Sequence, residues 1–185
     1  MAKWCPLVNR KVIYQFCEDC DEKICQGKKK TELLVMSEAE AMLYAETVSV
    51  PCGIISITTL TEGEIPFVDN ENIKEIFHMH FNDLEDDIQT EALFFKAPVQ
   101  EDMNGLRDVV DRLFDLDVNE IVVHCAAGIS RSAAVAQAIS DYKNLGYQFF
   151  NDGMHIPNSR VYRLCLNEFG IGKDQAYFEK IFDDM

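Results

Sequence analysis

Short apolar runs alternate with amphipathic segments along the chain from about residue 31 onward. The apolar runs predict four strands, at residues 32–36, 52–58, 73–81 and 120–123. Helical spacing and runs of small residues predict helices at about residues 37–46, 100–114, 132–145, 158–169 and 175–182. Residues 84–99 show neither period clearly, so we expect a loop there that could contain a short helix.

Two details of this pattern decide the fold class. The run Cys52–Thr58 is β-branched and apolar on both faces, which is typical of a strand buried in a parallel sheet. Ser37 and Glu40 have the spacing of a capping box, which marks the beginning of a helix directly after the first strand. The alternation therefore predicts an α/β fold: a single three-layer domain with a mostly parallel central sheet flanked by helices.

The first 30 residues differ from the rest of the chain. They contain four of the seven cysteines and end in the polar run Gln26–Lys30. We therefore divide the chain into a Cys-rich N-terminal module, residues 1–30, and a larger domain, residues 31–185. A module this short cannot build a sufficient core, so it needs another source of stability.

The charge balance limits the classes of partner. Lys and Arg total 17 against 32 Asp and Glu, which gives a formal net charge of −15. Such a surface repels nucleic acids and anionic membranes, so we expect neither as a partner. The N-terminus lacks the apolar region of a signal peptide, and no apolar run approaches the ~18 residues of a membrane span. We expect a soluble cytoplasmic protein, in which seven cysteines favour metal binding or catalysis over disulfides.

The segment IVVHCAAGISRSA joins a predicted strand to a predicted helix through the seven-residue loop Cys125–Arg131. Such a loop can direct its backbone N–H groups inward, and with the N-terminus of the helix behind them they form an anion-binding site. Gly128 permits a backbone turn that a β-carbon would hinder. We expect phosphate to bind to the loop residues Ala126, Ala127, Gly128, Ile129, Ser130 and Arg131.

The polar residues of this segment have distinct predicted roles. Cys125 lies at the positive end of the helix dipole, which favours the thiolate, and a thiolate can attack phosphorus to give a phosphocysteine. The planar guanidinium of Arg131 matches two phosphate oxygens. The hydroxyl of Ser132 can donate to the sulfur and assist its departure, and His124 is expected to order the loop rather than to transfer protons.

The pattern His-Cys-x-x-Gly-x-x-Arg-Ser at residues 124–132 resembles the signature loop of the protein tyrosine phosphatase superfamily. The form HCAAGISRS is similar to the dual-specificity branch, and the resemblance covers roughly residues 32–183. It implies hydrolysis of phosphotyrosine, with or without phosphoserine and phosphothreonine, in phosphorylated proteins or peptides, and no metal or organic cofactor for catalysis. A small cysteine before a Gly-containing turn is the plainer explanation, but it accounts neither for Arg131 nor for the order of the residues.

The resemblance also implies a general acid, an Asp on an upstream loop that protonates the leaving oxygen. The strand at residues 73–81 is followed by three candidates, and Asp83 is nearest to its end, so we assign the acid to Asp83. Asp86 and Asp87 are the alternatives, and all three could be solvated loop carboxylates. The 42 residues between Asp83 and Cys125 suggest an insertion at residues 84–99.

The four N-terminal cysteines have the spacing C-x11-C-x2-C-x4-C. Four thiolates would complete a tetrahedral zinc site, so we expect a structural zinc bound by Cys5, Cys17, Cys20 and Cys25. The alternative is four reduced thiols in a poorly packed segment. A module of this kind could bind a protein partner.

Other His and Cys residues have competing interpretations. His78 and His80 alternate along a predicted strand and share one face, so they could bind a metal, although packing near the active-site face is the simpler interpretation. Cys52 and Cys165 are expected to be small core residues. In a parallel sheet Cys52 would lie at the far end from Cys125.

Two rival functions stay open. One is a phosphoinositide or inositol-phosphate phosphatase, but polyanionic substrates call for basic residues in the loop, and its variable positions are uncharged. The other is a phosphate-binding adaptor, which would not need the thiolate of Cys125. Arg160 and Arg163 are interpreted as surface arginines that balance nearby carboxylates, with substrate contact as the alternative.

Overall fold

The computed structural model describes residues 31–173 and 177–178, and also the backbone of residues 2–5 and 10–13. The last two segments form the strands β1 (Ala2–Cys5) and β2 (Arg10–Ile13), which pair antiparallel. Most of the predicted Cys-rich module lies outside the described residues. So does most of the helix predicted at residues 175–182.

The central sheet of the described residues has four strands, all parallel, in the order β3–β8–β4–β5. The strands that form it are β3 (Glu32–Ser37), β4 (Cys52–Thr58), β5 (Ile73–His80) and β8 (Glu120–Cys125). Two shorter strands, β6 (Ile88–Gln89) and β7 (Phe94–Phe95), form a separate antiparallel hairpin. The predicted parallel sheet is therefore confirmed, and each of its four strands lies within two residues of the predicted bounds.

Helices cover both faces of this sheet. Within residues 31–173 these helices are α1 (Glu38–Thr47), α2 (Leu106–Asp115), α3 (Arg131–Lys143) and α4 (Ser159–Glu168). Helix α1 packs through two alanines on Ile54 and Val122. On the opposite face, α2, α3 and α4 cover Ile55, Ile121 and Val123, because successive residues of a strand point to opposite sides. The α/β class with flanking helices is confirmed.

The predicted capping box holds the junction of β3 and α1. The backbone N–H of Ser37 donates to Glu40 Oε2 at 2.8 Å, and the N–H of Glu40 donates to Ser37 Oγ at 3.4 Å. These bonds satisfy two amide groups that a helix start otherwise leaves without partners. The chain therefore turns from strand to helix without an intervening loop.

Two predicted elements differ from the structure. The helix predicted at residues 100–114 is divided into a 3₁₀-helix (Gln100–Met103) and α2. Gly105 precedes α2 with a φ of 85°, a left-handed conformation that cannot continue a helix. At residues 84–99 the structure has the β6–β7 hairpin instead of a loop with a short helix. Thr90 closes its turn by donating its backbone N–H to the carbonyl of Leu93 at 2.8 Å.

Because the four strands are parallel, their carboxyl ends meet at one edge of the sheet. The segments that follow β3, β4, β5 and β8 therefore lie together there, where α/β proteins commonly bind ligands. In the described part of the chain, no helix is long and apolar enough to cross a membrane.

Candidate active site

The loop after β8 leads directly into α3, so Cys125 ends the strand and Arg131 begins the helix. The first turn of α3 carries no acidic residue, and its N-cap residue Ser130 makes no capping bond with its side chain. The helix start is therefore not capped by a side chain of its own, so its amide groups can donate to an anion. Ala126 and Ala127 are exposed and leave the mouth of the loop unobstructed.

Gly128 determines how this loop packs. Its φ is 74°, and a β-carbon at this position would lie 2.5 Å from the backbone N of Ser37 and 2.6 Å from the carbonyl carbon of Met36. Both a left-handed conformation and a close approach of backbones therefore require glycine here. The loop is pressed against the junction of β3 and α1, which holds its curvature.

The thiol of Cys125 lies inside this loop and is only 2% exposed. Its Sγ is 3.2 Å from Ser132 Oγ. Burial opposes ionisation, but the hydrogen bonds from the Ser132 hydroxyl and from the N–H groups of Ser132 and Gly128, with the charge of Arg131, outweigh it. The pKa of Cys125 therefore lies below its ordinary value.

The guanidinium of Arg131 is held at the end of β5. The residue is 5% exposed, and Nη1 donates to the carbonyl oxygen of Phe81 at 3.0 Å. Its Nε is buried and has no hydrogen-bond partner among the described residues, with Asp83 Oδ2 3.9 Å away. A buried donor without a hydrogen-bond partner costs free energy of folding. Two oxygens of a bound phosphate could accept from the paired N–H groups of this guanidinium.

Asp83 is held against the loop by two hydrogen bonds to one of its oxygens. Oδ1 accepts from Ser130 Oγ at 2.8 Å and from Asn158 Nδ2 at 2.9 Å. Oδ2 is the oxygen that faces Arg131. Since Oδ1 already accepts two bonds, a proton on this carboxyl group would reside on Oδ2.

The two alternative carboxylates do not make such contacts. Asp86 is 95% exposed and lies 4.0 Å from the guanidinium of Arg160. Asp87 Oδ1 accepts from the N–H of Ala97 at 2.8 Å, which ties the two ends of the inserted segment together. Of the three candidates, Asp83 is the one that these contacts bring to the loop.

His124 is enclosed on the opposite face of the sheet from Cys125. Its ring packs edge-on against Phe67, with 5.5 Å between the ring centroids. Burial lowers the pKa of His124 to about 4, so the ring is neutral near neutral pH. The structure is consistent with a role for His124 in packing at the loop rather than in proton transfer.

The sequence did not single out Asn158, which connects three parts of the site. Its Oδ1 accepts from the N–H of Val161 at 2.9 Å and so caps α4, while Nδ2 reaches Asp83. The residues just before Asn158 are hydrogen-bonded to the loop, since the N–H of Ile156 donates to the carbonyl of Ile129 at 3.1 Å. The Asn-Ser start of a helix is visible in the sequence, but the contact with a residue 75 positions away is not.

Glu85 and Arg160 join the segment after β5 to α4. Glu85 accepts from the N–H of Ser159 at 2.7 Å and of Arg160 at 3.0 Å, as a carboxylate at a helix N-terminus does. Arg160 Nε donates to the carbonyl of Pro98 at 2.7 Å and Nη1 to that of Glu85 at 3.0 Å. These two bonds of Arg160 hold the loop backbone, and the carboxylate that lies near its guanidinium, as interpreted, is that of Asp86 at 4.0 Å. The guanidinium of Arg163 lies 4.6 Å from the ring centroid of Phe178.

The paired histidines have partners within the protein. His80 Nδ1 is 2.7 Å from Thr58 Oγ1, and His78 Nε2 is 3.9 Å from Glu64. Across the described residues, no group of three or more His, Cys, Asp or Glu side chains is arranged to hold a metal ion.

The remaining cysteines lie away from the loop. Cys52 pairs in register with Glu120, so it lies at the opposite end of the sheet from Cys125, as predicted. Both Cys52 and Cys165 are fully buried, which confirms that they are core residues. Of the expected zinc ligands, Cys5 is described only as backbone of β1, and Cys17, Cys20 and Cys25 lie outside the described residues.

The described cluster combines a thiol of lowered pKa, a buried guanidinium with a free donor and a carboxyl group on a neighbouring loop. This set can bind an anion and attack an electrophilic centre beside a proton donor. Neither a known family model nor a curated protein matches this chain. The functional inference therefore rests on the residues of the site.

Proposed function

We propose that this chain is a cysteine-dependent phosphatase that hydrolyses phosphotyrosine, with or without phosphoserine and phosphothreonine, in proteins or peptides. One observation carries the proposal. Cys125 has a pKa below its ordinary value although it is 2% exposed, and it lies at the start of a helix whose first residue is the buried Arg131. A stabilised thiolate beside a guanidinium at an unblocked helix N-terminus suits nucleophilic attack on a phosphate ester.

The first step transfers the phosphoryl group to the protein. The thiolate of Cys125 forms a bond to phosphorus while the bond from phosphorus to the leaving oxygen breaks. Arg131 and the loop amides stabilise the charge on the phosphate oxygens. Asp83 gives the proton on Oδ2 to the leaving oxygen, which departs as an alcohol or phenol.

The second step regenerates the thiolate. Water attacks phosphorus, the bond from phosphorus to sulfur breaks, and the Asp83 carboxylate accepts a proton from the water. Ser132 donates a hydrogen bond to the departing sulfur, which its 3.2 Å separation from Sγ permits. Inorganic phosphate is the product, and no step uses a metal or organic cofactor.

The rival functions receive less support from the site. A polyphosphorylated inositol substrate calls for several cations, yet Arg131 is the only charged residue in the loop Cys125–Arg131. An adaptor would bind phosphate with the loop amides and Arg131 alone. It would gain nothing from hydrogen bonds that lower the pKa of Cys125.

The test is a panel of phosphopeptides, phosphoinositides and an aryl phosphate, assayed with the wild type and with Cys125→Ser. The wild type is expected to release phosphate from phosphotyrosine peptides, and the variant is expected to lose turnover while still binding a phosphate analogue. Release from phosphoinositides alone would favour the first rival. Equal binding of phosphopeptides without any turnover by the wild type would favour the adaptor.

Three further expectations belong to this proposal. The catalytic domain spans residues 31–185 and acts in the cytoplasm. The module of residues 1–30 binds a structural zinc through its four cysteines and provides a surface for a protein partner. The metal stabilises the module and takes no part in the chemistry at Cys125.

A further inference from the structure

The hairpin of β6 and β7 exposes an unusual concentration of apolar side chains. Every residue from 85 to 96 is exposed. In the described part of the chain twelve large hydrophobic residues are exposed, and four of them lie in this hairpin: Ile88 at 46%, Leu93 at 58%, Phe94 at 59% and Phe95 at 43%. A two-stranded hairpin is too small to bury such side chains itself. Exposed apolar side chains that are concentrated in one short segment are typical of a site of protein interaction.

The two strands also arrange these side chains. Ile88 is directly opposite Phe95 in the register, so their side chains share one face of the hairpin. Phe94 is opposite Gln89 and belongs to the other face. Both faces therefore offer an aromatic ring at the same point of the hairpin.

The base of the hairpin is joined to the candidate active site. Asn82 Nδ2 donates to the carbonyl of Lys96 at 3.0 Å, and Asp87 Oδ1 accepts from the N–H of Ala97 at 2.8 Å. Arg160 then holds Pro98 to the start of α4. The hairpin is therefore anchored next to Asp83, and it extends the edge of the site.

The charges around the apolar side chains are mostly negative. Residues 85–96 include the carboxylates of Glu85, Asp86, Asp87 and Glu91 against the single ammonium of Lys96, a net charge of −3. A partner that covers the hairpin must therefore combine apolar with basic side chains. A second copy of this chain fits poorly, because each copy carries a net charge of −15 and the copies repel each other.

The distance from Asp83 to the hairpin is no greater than the length of a short extended peptide. Ile88 is five residues after Asp83, so even a fully extended connection spans at most about 17 Å. An extended substrate peptide covers the same distance in about five residues. A substrate bound by its phosphate in the loop can thus reach the hairpin with the residues next to its phosphorylated side chain.

We propose that the hairpin of residues 88–95 is a docking surface for protein substrates whose phosphorylated residue lies within about five residues of apolar and basic side chains. This inference rests on the phosphatase proposed above and names its substrate class. The hairpin binds the flanking sequence and takes no part in the chemistry.

The test compares two phosphotyrosine peptides of equal length. In one, two leucines and two arginines lie within five residues of the phosphotyrosine, and in the other these positions are serine and glutamate. The wild type is expected to prefer the first peptide by about tenfold or more in kcat/KM, and the variant Phe94→Ser with Phe95→Ser is expected to lose most of that preference. Leu93→Ser, a milder change in the same hairpin, is expected to reduce it in part.

The matched control is Leu116→Ser, which alters a residue that is 56% exposed and precedes β8, at the opposite edge of the sheet. It is expected to keep the wild-type preference. The inference is overturned if the wild type hydrolyses both peptides equally well, or if the hairpin variants keep the preference. It is also overturned if the hairpin variants change only the oligomeric state in sedimentation, since the occupant is then a second copy. A wild type that releases no phosphate from either peptide or from an aryl phosphate contradicts the proposed function itself.

Discussion

The loop Cys125–Arg131 and the segment of residues 83–98 meet at the same edge of the sheet but are held there differently. The loop is continuous with a buried strand and a buried helix, and Gly128 packs on the backbone of Ser37. The segment is mostly exposed and is held by side chains from elsewhere, above all Asn158 and Arg160. The loop of the nucleophile is thus positioned by backbone packing, and the acid by side-chain hydrogen bonds from Ser130 and Asn158.

This difference predicts where substitutions do most damage. A substitution in the loop displaces atoms that are packed on all sides, and the neighbouring residues have no space in which to shift, because protein interiors are close-packed. A change in the exposed segment affects one interaction and leaves the fold intact, since surface substitutions away from special features have small effects on stability.

The largest expected effect follows Gly128→Ala. The new methyl group would overlap backbone atoms at 2.5 and 2.6 Å in a residue with a φ of 74°, so the loop must move. We expect a loss of stability of about 2 kcal/mol or more and a loss of turnover of about 10²-fold or more. Thermal unfolding and kcat on an aryl phosphate measure both. Gly63→Ala is the control, because its β-carbon would have no neighbour within 4 Å, and equal damage from it would contradict the role of Gly128.

The next effect concerns the acid. Asp83→Asn removes the proton donor, so kcat/KM is expected to fall by about 10²-fold on poor leaving groups and much less on activated nitrophenyl or coumarin esters. The loss is expected to grow as the leaving alcohol or phenol becomes a poorer leaving group, because such a group depends most on the donated proton. Asp86→Asn and Asp87→Asn are the controls. If either of them, and not Asp83→Asn, shows this dependence on the leaving group, then Asp83 is not the acid.

A smaller effect is expected from Ser132→Ala and concerns the low-pH side of the profile. The Ser132 hydroxyl helps to hold the pKa of Cys125 below its ordinary value, so its removal raises that pKa. The thiolate is the reactive form, so the rise of kcat/KM with pH is expected to move to higher pH. The loss is then greatest in acid, where kcat/KM falls in proportion to the fraction of Cys125 that is ionised. An unchanged rise would mean that the hydroxyl does not stabilise the thiolate.

The smallest effect on catalysis is expected from the N-terminal cysteines. Purified protein is expected to carry about one zinc per chain, and Cys17→Ser with Cys20→Ser is expected to lose it without a change in kcat on an aryl phosphate. Metal analysis and a steady-state assay check the two statements. Less than ~0.1 equivalent of zinc in protein from zinc-supplemented medium would favour four reduced thiols.

Much of the fold could be predicted because its signals are local. The run Cys52–Thr58 gave a buried strand with the predicted bounds, and Ser37 and Glu40 gave the start of α1. The loop after β8 was predictable because its strand, glycine and helix are contiguous. The prediction of one continuous helix at residues 100–114 was wrong. The left-handed conformation of Gly105 interrupts the helix there, although the spacing of the apolar residues is helical.

The rest of the site depends on long-range contacts that leave no local signal. The choice of Asp83 rested on its position next to β5, whereas its actual partners Ser130 and Asn158 come from two other segments. The hairpin was missed because β6 and β7 are only two residues each, too short for a period to show.

The most direct test of the central claim is to trap the covalent intermediate. Asp83→Asn slows the second step by removing the group that accepts a proton from water, so an activated aryl phosphate is expected to leave a phosphoryl group on the protein. After a rapid quench, peptide mass spectrometry is expected to locate one phosphoryl group on Cys125, and none is expected in Cys125→Ser. Turnover by the wild type with the phosphoryl group on another residue, or with no trapped intermediate and no effect of Cys125→Ser, would contradict the account.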